Sequence, residues 1–153
     1  MDANLINPFI KATIEVLTTM ASVKPIPKKP YLKKDAVATG DVSSVVGLTG
    51  AKNGTVSISF EENCILKIVS NMFNEEMTEL NHDVADAVGE IFNMISGQAR
   101  QDLESIGYLF HGSIPSIFTK KGHEIIHITE GPKIAVPFTT PDGAFTLEVC
   151  FEK

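Results

Sequence analysis

The residues best placed to do chemistry are Asp86, Glu90 and Asn93, in the run Asp86-Ala87-Val88-Gly89-Glu90-Ile91-Phe92-Asn93. The surrounding pattern is helical, and at about 100° per residue Asp86, Glu90, Asn93 and Gly97 fall within roughly 60° of one another. Val84, Val88, Ile91, Ile95 and Ala99 gather on a different side. A carboxylate and a carboxamide on the polar side of a helix, with little bulk at Gly89 and Gly97, can be pushed into a cleft in another protein. From spacing alone a solvated helix face is the better reading, because Glu-x-x-Asn is a common string. The glycines weigh in the other direction. Each costs about 1 kcal/mol against alanine inside a helix, and each serves either a partner's close approach or packing between helices.

Other constellations are weaker. His127 lies in an expected strand and His123 just before it, and in extended chain their spacing puts them on one face but about 13 Å apart. With no third ligand in view they read as ordinary surface histidines, not a zinc site. His82 and His111 have no acid–nucleophile pattern around them. No GxSxG, HExxH, Walker A or GxGxxG string occurs, so the common hydrolase and nucleotide-binding folds have no support. Gly47, Gly50 and Gly54 read as turn residues. Cys64 and Cys150 lack CxxC spacing and read as two buried thiols.

These residues sit in a chain of 153, 43% hydrophobic and 21% charged, which suits one domain over 1–153 with a sizeable core. A net charge of -6 argues against nucleic acid or an anionic membrane as partner. Lys24, Lys28, Lys29, Lys33 and Lys34 cluster, but Pro25, Pro27 and Pro30 interrupt them, so the stretch reads as an extended connector. No segment has the roughly 20 apolar residues needed to cross a bilayer. No basic region followed by an apolar run opens the sequence, and a cytoplasmic location is expected.

The elements that must position the acid and the amide follow from periodicity. Helices are expected over about 5–21, 61–74 and 81–105. Pro8 fits the first only if that helix starts near it. Asn81 or Asp83 should cap the third helix, and Gly107 should stop it. Strands are expected over 42–48 and 55–60, with Asn53-Gly54 as the turn signal, then over 108–114, 125–129, 134–138 and 144–151. Phe145, Leu147, Val149 and Phe151 alternate with Thr146, Glu148, Cys150 and Glu152, the pattern of a half-buried antiparallel strand. The order α-ββ-αα-ββββ predicts an α+β fold, with helices packed on a mostly antiparallel sheet.

Taken together, Pro30-Tyr31-Leu32-Lys33-Lys34, Gly47-Leu48-Thr49-Gly50, Gly54-Thr55-Val56, the helical run from Ala87 through Gly89, Glu90 and Asn93 to Gly97, Pro115, Gly122-His123, Val136-Pro137-Phe138 and the Phe145 to Cys150 strand form a specific series. In that order and spacing the sequence resembles the CheX family of chemotaxis phosphatases, relatives of CheC and the FliY switch proteins. The resemblance spans nearly the whole chain. It implies that Glu90 and Asn93 are the catalytic pair, that Asp86 and Pro115 support them, beside the small Gly89 and Gly97 that the helix pattern already singles out as supporting residues, and that the substrate is a phosphorylated CheY-like receiver carrying its own Mg²⁺. It implies no metal or cofactor on this chain and a homodimer made by joining sheets. The first helix offers Glu15 with Thr18 where a second amide would stand, so a one-site, CheX-like member is expected. The other reading is a non-enzymatic module that docks on a receiver or a flagellar-switch protein.

Overall fold

Apolar residues recurring at helical spacing make three helices among the described residues. The structure, a computed structural model, describes residues 3–153. Helix α1 (Ala3–Ala21) buries Leu5, Phe9, Ala12, Val16 and Leu17. Helix α2 (Glu62–Phe73) buries Cys64, Ile65, Ile68 and Val69. Helix α3 (His82–Ser105) buries Val84, Val88, Ile91, Phe92, Ile95, Ala99 and Leu103 along one stripe. No helix among the described residues is long and apolar enough to cross a membrane.

Eight strands form one sheet: β1 (Ile26–Pro27), β2 (Tyr31–Leu32), β3 (Val42–Gly50), β4 (Gly54–Phe60), β5 (Phe110–Gly112), β6 (Ser116–Phe118), β7 (Lys133–Thr140) and β8 (Gly143–Phe151). Their order is β1-β7-β8-β4-β3-β5, with β2 also on β7 and β6 also on β3. Every pairing is antiparallel. Helix α3 lies on β3, β5 and β6, α2 lies on β8, and α1 packs on α3 and α2. The core between the layers joins Phe9 and Leu17 of α1, Phe92 of α3 and Phe60, Phe138 and Phe145 of the sheet. The fold is α+β, as the segregation of helices and strands predicts.

Local details depart from the sequence expectation, each for a physical reason. Helix α1 is already formed at Ala3, so Pro8 lies in its interior, not at its start. The ring removes one backbone hydrogen bond, and burial of Leu5 and Phe9 on either side offsets that loss. The β3–β4 turn centres on 51–53, because Gly50 takes a positive φ of 115° and Gly54 already belongs to β4. A Cβ on Gly54 would stand 2.5 Å from the Phe151 ring, so this glycine serves packing between strands.

The larger departure concerns the sheet face turned away from the helices. The expected strand over 125–129 is absent. That stretch is an extended strap, tied in by the Val37–Glu124 bridge and by Ile128 N–H donating to Thr55 Oγ1 at 2.9 Å. Ile125 points inward and Ile126 and Ile128 outward, so alternation marked a covered segment rather than a paired strand. His127 lies under the strap with its Nε2 2.6 Å from Glu148 Oε1, and both side chains are at least 96% buried, at 4% and 3% exposure. His123 contacts the Lys120 carbonyl at 2.6 Å and the Ser43 hydroxyl at 2.7 Å. Neither is the ordinary surface histidine that sequence suggested. Beneath the strap β8 is buried on both faces from Phe145 onward, not half-buried.

Both cysteines are free and buried. Burial pushes the Cys64 thiol up to about 11 against a contact with the Thr140 hydroxyl that lowers it. Lys33, within the stretch expected to be an extended connector, is buried and pairs with Asp35 at 2.8 Å. That ammonium holds the Asp35 carboxyl below its ordinary value. The connector itself supplies β1 and β2, which cover the outer edge of β7. Strand β8 sits inside the sheet. The apolar character of β7 and β8 is therefore satisfied within the chain and does not itself call for a partner.

Candidate functional site

The placement of the acid and the amide begins at the start of α3. Asn81 is extended and its side chain accepts from Val84 N–H at 3.0 Å. Asp83 adds a negative charge to the first turn, where the helix dipole favours it. With the start fixed and the apolar stripe buried, Asp86, Glu90 and Asn93 are held in solvent. Asp86 stands 3.7 Å from the exposed His82 ring, a pair worth little in water. The side chains of Glu90 and Asn93 make no hydrogen bond or ion pair with another described residue, so both are free to engage a partner.

A wall facing this stretch of helix comes from the sheet edge. Strand β5 pairs Gly112 with Leu48, and β6 pairs Ser116 with Val45. Three residues, 113–115, therefore stand opposite two, 46–47, which is a β-bulge. Pro115 has no N–H to give to the ladder, which suits such a position. Ser113 secures the near side: its N–H donates to Gly47 O at 2.9 Å, and its hydroxyl accepts from Gly47 N–H at 2.9 Å. Helix and bulge enclose an open cleft of about 490 Å³, lined by Asp86, Gly89, Glu90 and Asn93 on one side and by 112–115 and Ile117 on the other.

The glycines separate by role. A Cβ on Gly89 would meet Ile117 Cδ1 at 3.3 Å, so this glycine lets α3 settle on β6. Gly97 lies outside the cleft lining, and a Cβ there would meet nothing within 4 Å. Further along the same helical stripe Arg100 lies close over Gly112, where a Cβ would come 2.9 Å from its Nε. The lining of the cleft carries carboxylates, an amide and no cation, so the group it suits best is a cation presented from outside. No group of three or more His, Cys, Asp or Glu among the described residues could hold a metal ion. Sequence reasoning chose the helix side and Pro115. It did not find Ser113, Ile114 or Ile117, and the available signal was a proline closing an apolar strand, a mark of a bulge as well as of a strand end.

Comparison with known proteins places this architecture in a class. Over 97% of this chain and 99% of the other, it matches the crystal structure of a chemotaxis protein CheX from Desulfovibrio desulfuricans with a TM-score of 0.90 and 49% identity. A CheX-CheY-BeF3-Mg2+ complex from Borrelia burgdorferi matches at a TM-score of 0.78 and 27% identity, over 97% of each chain. The CheY-P phosphatase CheX of Thermotoga maritima is 30% identical over 70% of this chain and 70% of its own length. Residues 42–139 match the family model described as Chemotaxis phosphatase CheX, and the chain belongs to that family.

Proposed function

We propose that this chain hydrolyses the aspartyl phosphate of a CheY-like receiver, with Glu90 and Asn93 as the working pair. The observation that carries the reading is their position. They stand about one turn apart, exposed and uncommitted, at a cleft with no cation of its own. The family description and the Borrelia complex of a relative with CheY support the same partner.

In the proposed reaction a water adds to phosphorus, the bond from phosphorus to the receiver's carboxylate oxygen breaks, and inorganic phosphate and free aspartate remain. The receiver is expected to bring Mg²⁺ and a lysine that neutralise phosphoryl charge, so positioning is the main task left to this chain. The Asn93 carboxamide accepts from the attacking water and donates to a phosphoryl oxygen, holding the water in line with the bond that breaks. Glu90 pairs with the receiver's lysine and sets the docking register. Asp86 adds negative potential beside Glu90, and Pro115 shapes the opposing wall. No covalent intermediate forms on this chain.

The test is phosphate release from a phosphorylated CheY receiver with and without the protein. Acceleration at substoichiometric protein is the expected result. Binding to the receiver without acceleration would instead make the protein a docking module.

Gly97 offers a separate check on how the receiver approaches. Alanine there gains helix propensity and meets no neighbour, so Gly97→Ala should stabilise the fold by about 1 kcal/mol and raise the melting temperature by about 2–4 °C. If a receiver's backbone passes over this turn, the same variant should lose activity. An unchanged rate would remove Gly97 from the docking face. The family resemblance further supports a homodimer with joined sheets. The sheet ends at β1 and β2 on one side and at β5 and β6 on the other, so joining must occur at one of these edges. Sedimentation at micromolar concentration should give twice the chain mass, and a lone monomer would overturn the dimer.

A further inference from the structure

The bulge between β5 and β6 does more than close one wall of the cleft. Pairing on its two sides is secured, by Gly112 with Leu48 and by Ser116 with Val45, and the extra residue is pushed out of the ladder. The side chain it presents is Ile114, 89% exposed, the largest exposure among the large apolar side chains of the described residues. Bulges are a recurrent means of re-aiming a side chain beside a working site. An exposed isoleucine alone needs no explanation. This one lies in the same cleft lining as Glu90 and Asn93, on the wall that a protein seated over the acid–amide pair would meet. Interface hot spots sit in desolvated pockets ringed by contacts that exclude water, and an apolar side chain beside the acid–amide pair can fill such a place.

We propose that Ile114 is the apolar anchor that seats the phosphorylated CheY-like receiver on this cleft, a docking and specificity residue rather than a catalytic one. The proposal rests on the receiver-phosphatase reading and adds to it the kind of surface the receiver must offer. Beside its phosphorylated aspartate and lysine, that surface has an apolar depression that accepts a branched aliphatic side chain. Glu90 fixes charge register, Asn93 acts on the water, and Ile114 supplies contact area that removes water from the rim.

Two readouts test this. Binding is titrated with a purified CheY receiver held as its beryllofluoride–Mg²⁺ complex, and turnover is followed with the same receiver phosphorylated. Ile114→Ala should weaken binding about tenfold, as loss of most of a buried isoleucine implies. KM should rise in parallel while kcat stays within about twofold, the mark of binding lost equally from ground and transition states. Ile114→Leu should recover most of the affinity. Ile126→Ala, on the strap and 77% exposed, is the control for loss of an exposed isoleucine elsewhere and should bind as wild type does. Wild-type affinity in Ile114→Ala, or a leucine variant as weak as the alanine one, would overturn the anchor. Asn93→Ala run alongside separates the two proposals. Full turnover in Asn93→Ala defeats the catalytic reading, whereas a dead Asn93→Ala beside a normally binding Ile114→Ala defeats the anchor alone. A wild-type protein that does not bind the receiver defeats both.

Discussion

Replacing Asn93 by alanine should lower receiver dephosphorylation by on the order of 10²-fold or more, the loss typical when one preorganised polar group is removed from a transition state. The fold should not notice. Asn93 is exposed and bonds to no described side chain, and alanine is the better helix former, so thermal unfolding should be unchanged or shifted slightly upward. The loss should fall on kcat, because the carboxamide is proposed to act on the water and not to supply affinity. Glu90→Ala should differ in kind. Loss of the proposed lysine pairing should raise KM and flatten the dependence of kcat/KM on ionic strength, since charge pairs at an interface govern encounter and register. Stopped-flow or phosphate-release assays on one receiver at two salt concentrations separate these outcomes. Wild-type rates in both variants would remove the pair from the mechanism.

The second large effect lies on the other side of the molecule. Glu148→Ala should lower stability by about 3–5 kcal/mol, the usual cost of breaking a buried pair from one side. At about 2–4 °C per kcal/mol for a chain of this size, the melting temperature should fall by on the order of 10 °C. The reason is the pair itself: His127 Nε2 and Glu148 Oε1 meet at 2.6 Å with both side chains almost fully buried. Removing one leaves the other dehydrated under the strap without its partner. Replacing both, as His127→Leu with Glu148→Leu, should recover much of the loss, because no polar group is then stranded. Dephosphorylation by the folded fraction should survive in each variant, since the strap covers the sheet face opposite α3. A melting point in Glu148→Ala within about 2 °C of wild type would show that the pair holds nothing together.

These two predictions come from parts of the chain that differed in legibility. The acid–amide stripe was readable because a helix's period is local. Once Asn81 sets the start and the buried stripe runs from Val84 to Leu103, the exposure of Asp86, Glu90 and Asn93 follows from rotation per residue. The likeness to the CheX family, absent from spacing alone, lifted that stripe above an ordinary wet helix face. The back of the sheet was not readable in the same way. Glu148 alternates with Leu147 and Val149 as an outward polar residue of a half-buried strand should. Its burial depends on a strap from about 20 residues earlier in the chain, and period-two patterning cannot show what covers a face. The contacts of His123 and His127 are hidden from sequence for the same reason, and over 125–129 an inward–outward alternation serves a strap as well as a ladder.

By itself, then, the sequence determined the three helices, the long antiparallel strands, the α+β class and the polar stripe on α3, all governed by contacts within a few turns or across one hairpin. Tertiary structure alone decided how the remaining segments were used. It made edge strands of a proline-interrupted connector, laid a strap over the polar face of the sheet, and turned a proline-terminated strand into the bulge that faces Glu90 and Asn93. Those outcomes depend on which surfaces meet across long separations in the chain, where burial and hydrogen-bond satisfaction are settled by the whole packed molecule rather than by any local run.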